Sequence, residues 1–208
     1  MRRGAVTRVE FLYDFASPNC YPAYYKLRQM SRTWRFEVRP VPLFLGGLFK
    51  LTNDSAAPKG SNEYNYMVKS LERVSQALRI GFNFPHSTFP VNSLKALRGS
   101  YFAESEGKAH DYVSKVFDEH YAKGTDISDP NNLGRVVGSL GLNPTRFFEF
   151  VELDETKLKL RKDTDAAFER GVFGAPTYFV DGKMYWGTPE VLWFLGDQLA
   201  RKEAGVQP

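Results

Sequence analysis

The first forty residues alternate between strand-like and helix-like hydrophobic patterns. Residues 9–15 form an apolar run that predicts a buried strand. A helix is expected from Pro18 to about Ser31, and residues 35–39 alternate polar and apolar side chains like a second strand. This strand–helix–strand order predicts a parallel pair of strands.

The end of the chain returns to strand-like patterns. Thr177–Val180 and Lys183–Trp186 flank an Asp-Gly pair, which predicts a hairpin. A final helix is expected to start at Thr188 and to continue through Leu199.

The middle of the chain carries hydrophobic residues at helical spacing. Residues 46–61 are rich in loop-forming residues. A helical section is expected to follow, and its first helix is expected to end at Gly81. Asp129-Pro130 and Asn143-Pro144 each combine a capping residue with a proline suited to the first helical position. We therefore expect one α/β domain, residues 1–60 and 169–208, interrupted by an all-helical insertion, residues 61–168.

Composition narrows the class of protein. The chain has 208 residues, 42% of them hydrophobic, which allows a sizeable core. No apolar run approaches the ~18 residues of a membrane span, and the first residues lack the apolar core of a secretory signal. The net charge of +4 favours anionic small molecules, and without a basic block interleaved with aromatic residues we expect no nucleic-acid partner.

Cys20 is the only cysteine. No disulfide can form within the chain, which suits a reducing compartment and predicts a cytoplasmic location, with a mitochondrial one left open. The three histidines share no metal-ligand spacing, so we expect no metal site.

Ser17 and Pro176 are the candidate chemical residues. Thioredoxin-like chains place a C-x-x-C motif after the first strand and a proline, usually cis, before a later one. Here Ser17 occupies the first cysteine position, where its hydroxyl could donate a hydrogen bond to a thiolate, or could simply cap the helix. A cis Pro176 would turn the Ala175 backbone toward Ser17, whereas the simpler interpretation is a proline at a strand start. Cys20 is expected to be buried and inert, the alternative being a cysteine that forms mixed disulfides.

Three motifs together resemble one family. The run D-F-A-S-P-N-C-Y at residues 14–21 resembles the signature of 2-hydroxychromene-2-carboxylate isomerases and that of kappa-class glutathione transferases. Residues 89–99 are similar to the helix start of the isomerases, and residues 171–177 match the cis-proline segment of both. The resemblance implies a thioredoxin-like fold with a large helical insertion, the DsbA and kappa-class architecture, and glutathione as cosubstrate.

The resemblance also implies roles for particular residues. Ser17 would be catalytic, and glutathione would be held by Ala175, Pro176, Asn53, Lys50, Thr188 and Glu190. The family usually reads W-G-x-D-R where this chain has W-G-T-P-E, so Pro189 and Glu190 depart from its pattern.

We therefore expect a glutathione-dependent isomerase or transferase. The thiolate of glutathione would add to an electrophilic aromatic or unsaturated carboxylic acid, and the resemblance implies a homodimer. The alternatives are a kappa-class transferase or peroxidase, a thiol-disulfide oxidoreductase that uses Cys20, and an inactive glutathione-binding protein. The departure at Pro189 and Glu190 favours the last of these.

Overall fold

The centre of the fold is a four-stranded mixed sheet. The computed structural model describes residues 6–187 and 191–204. The strands are β1 (Thr7–Tyr13), β2 (Phe36–Pro42), β3 (Thr177–Val180) and β4 (Lys183–Trp186). Their order is β2-β1-β3-β4, with β1 parallel to β2 and the other two pairs antiparallel. The predicted parallel pair and hairpin are both confirmed.

Strand β1 is central in the sheet, and helices cover both of its faces. Val9, Phe11 and Tyr13 face one side and are fully buried, and Leu12 is buried on the other side. A strand with two covered faces needs a nearly continuous apolar sequence. The loop that carries Ser17 follows directly after this buried strand.

Helices occupy most of the remaining chain. They are α1 (Cys20–Thr33), α2 (Leu45–Thr52), α3 (Asn62–Leu78), α4 (Leu94–Ser105), α5 (Ala109–Phe117), α6 (Pro130–Ser139), α7 (Pro144–Glu152), α8 (Asp154–Glu169) and α9 (Val191–Glu203). A π-helical turn, Asp118–Ala122, follows α5. Residues 61–168 contain helices and loops but no strand. The division into two domains stays a prediction.

Two helix starts follow the predicted capping signals. The Asp129 side chain accepts a hydrogen bond from the Asn131 N–H, and Asn143 accepts one from Arg146. Each is followed by proline at the first helical position, where the missing N–H costs nothing.

The predicted loop at residues 46–61 is wrong in its first part, because α2 covers residues 45–52. Gly46 and Gly47 suggested a loop, but the Phe44 ring lies 3.0 and 2.8 Å from where their Cβ atoms would be. The glycines make room for that ring inside a helix. Similarly, α3 ends at Leu78 rather than at Gly81, and Arg79 takes the left-handed cap conformation with φ 56°.

Candidate active site

Ser17 lies in the turn between β1 and α1. The Ser17 N–H donates to the Asp14 carbonyl at 3.0 Å, and the Cys20 N–H donates to the Ser17 carbonyl at 3.0 Å. The Ser17 hydroxyl donates to the Ala175 carbonyl at 2.9 Å, 158 residues away in sequence. The structure therefore brings together two of the predicted site residues.

The start of α1 differs from the expectation. The helix begins at Cys20 rather than Pro18, and Asn19 precedes it without a side-chain capping bond. The Cys20 N–H is already occupied, and Pro22 has no N–H to offer. The helix N-terminus thus has fewer free N–H donors than predicted.

The segment facing Ser17 is held from several directions. The Ala175–Pro176 peptide bond is cis. The Thr177 hydroxyl donates to the Gly174 carbonyl at 2.7 Å, and the Gly187 N–H donates to the Pro176 carbonyl at 3.0 Å. The indole of Trp186 lies 2.5 Å from where a Cβ of Gly174 would be, so a larger residue there would require the indole to move.

Asp14 is a buried acid in the loop that precedes Ser17. Its buried carboxylate accepts hydrogen bonds from the Ala16 N–H at 2.9 Å, the Ser93 hydroxyl at 2.6 Å and the Leu45 N–H at 2.8 Å. Burial raises the pKa of Asp14, and the three hydrogen bonds oppose that rise. One carboxylate thereby joins the β1 loop, the start of α2 and the segment before α4.

A cleft of about 930 Å³ opens beside this carboxylate. It is lined by Asp14 and Ala16, by residues of α2 and the four residues after it, and by residues 90–94. The Phe89–Pro90 bond at its edge is also cis, which the sequence did not predict. The volume of the cleft lies within the range of small-molecule binding pockets.

Lys50 and Asn53 both line the cleft. Lys50 is in the last turn of α2, and Asn53 ends that helix in the left-handed conformation, with φ 56° and ψ 41°. The structure thus places these two predicted contacts on the same cleft as Ala16, the neighbour of Ser17. Thr188 and Glu190 lie outside the described residues.

Cys20 is buried, as expected. Burial raises the pKa of its thiol to about 12, although a hydrogen bond with Ser17 acts in the opposite direction. A thiol with this pKa carries almost no thiolate at neutral pH, and the thiolate is the form that attacks disulfides. Cys20 is therefore a poor nucleophile in the folded chain.

The described residues contain neither a candidate metal cluster nor a candidate membrane span. In residues 6–187 and 191–204, no three His, Cys, Asp or Glu residues are grouped so that they could hold a metal ion. Within the same residues, no helix combines the length and apolar character needed to cross a bilayer.

Known proteins similar to this chain carry the names of two kinds of enzyme. A 2-hydroxychromene-2-carboxylate isomerase of Sphingobium xenophagum is 29% identical over 185 residues, which cover 86% of this chain and 91% of that protein. Glutathione S-transferase kappa 1 of Rattus norvegicus is 23% identical over 195 residues, covering 88% and 86%. The resemblance stated from the sequence is confirmed.

A solved structure and a family model agree with these relatives. The structure of a 2-hydroxychromene-2-carboxylate isomerase superimposes with a TM-score of 0.85 at 26% identity, covering 97% of this chain and all of the other. The model for the DSBA-like thioredoxin domain matches residues 8–197. With its central sheet, helical section and Ser17–Ala175 contact, the chain belongs to the DSBA-like thioredoxin family.

Proposed function

We propose that this protein is a glutathione-dependent isomerase or transferase that acts on an electrophilic aromatic or unsaturated carboxylic acid. The observation that carries the proposal is the hydrogen bond from the Ser17 hydroxyl to the Ala175 carbonyl, beside the cleft of about 930 Å³. The names of the isomerase and transferase relatives support the same class of chemistry.

The residues around Ser17 suit a glutathione molecule. No described group accepts the Ala175 N–H, so this donor is available for an extended peptide that pairs with the backbone as a strand does. Rotation of the Ser17 hydroxyl away from Ala175 would free the carbonyl for the same pairing. Lys50 supplies a cation in the cleft for a carboxylate. Contacts from Asn53, Thr188 and Glu190 stay predictions.

When bound, glutathione supplies a thiol that adds to an electrophilic carbon; later elimination gives an isomer, and a retained bond gives a transfer product. The Ser17 hydroxyl donates to the sulfur position and thereby lowers the pKa of a thiol held there, because a hydrogen bond to the charged form favours it. Asp14 fixes the walls of the cleft through its three hydrogen bonds.

A thiol-disulfide oxidoreductase is a weaker candidate. Disulfide exchange needs an accessible thiolate, and Cys20 is buried with a raised pKa. Its position, three residues after Ser17, is that of the second cysteine in a C-x-x-C motif. The first cysteine, which carries out the attack, is absent.

Replacing Ser17 by alanine tests the proposal. Ser17→Ala should reduce the glutathione-dependent rate roughly tenfold to a hundredfold, since one hydrogen bond to a charged group is worth about 1.5–3 kcal/mol. Glutathione affinity should fall less, because the Ala175 backbone remains. Ser105→Ala is a matched control, because that hydroxyl also donates to a backbone carbonyl, at 2.8 Å, but in α4. Full glutathione-dependent activity in Ser17→Ala would reject the assignment.

The homodimer and the cytoplasmic location belong to the proposal as well. The homodimer is implied by the family resemblance and the cytoplasmic location by the single cysteine, and both stay predictions. Sedimentation of the full chain would test the first, since a species with the mass of one chain would contradict a dimer.

A further inference from the structure

A second cavity adjoins the cleft. Its volume is about 470 Å³, and it lies among α2, α4 and α8. Phe44, Lys50 and Leu94 line both the cleft and this cavity, so the two spaces meet at these side chains. Leu51 and Leu160 add to its apolar lining.

The charged residues of this second cavity are mostly basic. Four basic side chains line it, and one acidic side chain does: Lys50, Arg98, Lys157, Arg161 and Asp165. Lys157 is paired with Asp154 at 3.3 Å and with Glu152 at 3.5 Å, and Arg161 with Asp165 at 3.9 Å. Lys50 and Arg98 form no ion pair with any carboxylate in the described part of the chain.

Arg98 is also short of hydrogen-bond acceptors. One guanidinium nitrogen, Nη1, donates to the Val151 carbonyl at 3.4 Å, a long contact. The Nε atom is buried and has no acceptor among the described residues. A partly buried guanidinium without a carboxylate is unusual, because buried charges are normally paired. A carboxylate on a ligand would complete this arrangement, since guanidinium binds carboxylates through two parallel hydrogen bonds.

We propose that this second cavity binds the carboxylate end of the acceptor substrate, with Arg98 as the residue that selects acids over neutral electrophiles. The inference rests on the proposed function for the identity of the acceptor. The apolar side chains shared with the cleft, Phe44 and Leu94, would contact the aromatic or unsaturated body, and Lys50 would remain with glutathione on the cleft side of the junction. The reactive carbon would then remain in the cleft beside Ala16.

Equilibrium binding of cinnamate tests the site without relying on turnover. Calorimetric titration of the native protein should show that cinnamate binds at least about tenfold more tightly than the neutral cinnamamide. Arg98→Gln should weaken cinnamate binding about tenfold to a hundredfold and leave cinnamamide binding unchanged. Arg146→Gln is the matched control, because Arg146 is in α7 and pairs with Glu106 at 3.4 Å, outside the cavity.

The results distinguish a wrong role for Arg98 from a wrong activity for the protein. If glutathione-dependent turnover is present and Arg98→Gln leaves the KM for acids unchanged, the site is wrong and the function stands. If turnover is absent but cinnamate binding depends on Arg98, the function is wrong and the site stands. Should Arg98→Gln fail to fold, equal affinity of the native protein for cinnamate and cinnamamide would by itself overturn the site.

Discussion

Ser17 and Asp14 have separate roles at the end of β1. The buried Ser17 hydroxyl donates to the Ala175 carbonyl on the facing segment, whereas the Asp14 carboxylate accepts hydrogen bonds from three chain segments. The two side chains are three positions apart, so the same turn fixes both. The proposed role of the Ser17 hydroxyl therefore relies on a loop that Asp14 holds in place.

Cys20 should resist chemical modification while the chain is folded. The pKa of its thiol is raised to about 12, so the thiolate fraction stays negligible from about pH 7 to about pH 9, where an ordinary thiol with a pKa of ~8.5 ionises. Labelling by a thiol reagent should therefore be slow at both pH values and fast after denaturation. Rapid labelling of the folded chain that also abolishes activity would revive the oxidoreductase alternative.

Asn53 allows a backbone role to be separated from a ligand contact. Glycine adopts the left-handed backbone conformation of Asn53 without strain, whereas alanine in the same conformation is destabilised by roughly 1 kcal/mol. Asn53→Ala should therefore lower the free energy of unfolding by about that amount, and Asn53→Gly should leave it nearly unchanged.

The same two variants test the predicted contact with glutathione. If the Asn53 amide binds glutathione, both variants should weaken glutathione binding in a calorimetric titration. Native affinity in Asn53→Gly would restrict Asn53 to its role at the end of α2.

At the scale of elements, the packing of α4 on α7 depends on a glycine. A Cβ on Gly99 would lie 2.3 Å from the Phe147 ring and 2.5 Å from the Tyr112 hydroxyl, and both side chains are fully buried. Gly99→Ala should therefore lower the free energy of unfolding by about 1–3 kcal/mol, as overpacking does in other cores. Chemical denaturation would measure this change.

Gly138 in α6 provides the matched control. The nearest atom to its added Cβ is 3.8 Å away on Pro144, an ordinary contact. Gly138→Ala should be neutral or stabilising by up to ~1 kcal/mol, because alanine is the better helix former. A Gly99→Ala variant as stable as Gly138→Ala would show that α4 and α7 are packed less closely than described.

Helices with regular apolar spacing and standard caps could be predicted from the sequence, but α2 could not. The local preference of its glycines favours a loop. The Phe44 ring packed against them explains why glycine is needed at these positions of the helix. The left-handed Arg79 at the end of α3 is a similar case, since arginine carries no local signal for that conformation.

At the scale of the whole molecule, one core spans the sheet and the helical section. Phe11 and Leu27 belong to the same buried cluster as Val116 and Phe147. In addition, the Tyr121 hydroxyl of the π-helical turn donates to the Phe15 carbonyl at 2.9 Å, which links the helical section to the loop that carries Ser17. The helical section therefore supports the site as well as forming part of its cleft.

The candidate site could be predicted only where its residues lie in local motifs. Ser17, Ala175 and Pro176 occupy recognisable segments, and the structure brings them together. The role of Asp14 depends on donors from Leu45 and Ser93, which are far apart in sequence, so no local pattern could reveal it. The second cavity likewise requires α4 and α8 to be packed against α2.

We propose that Ser17 lowers the pKa of a glutathione thiol bound beside Ala175. The most direct measurement is a pH titration of the thiolate absorbance of bound glutathione, in the native protein and in Ser17→Ala. We expect the pKa of the bound thiol to fall below that of free glutathione in the native protein and to return toward the free value in the variant. Absence of glutathione binding, or the same thiol pKa in both proteins, would show that Ser17 does not have this role.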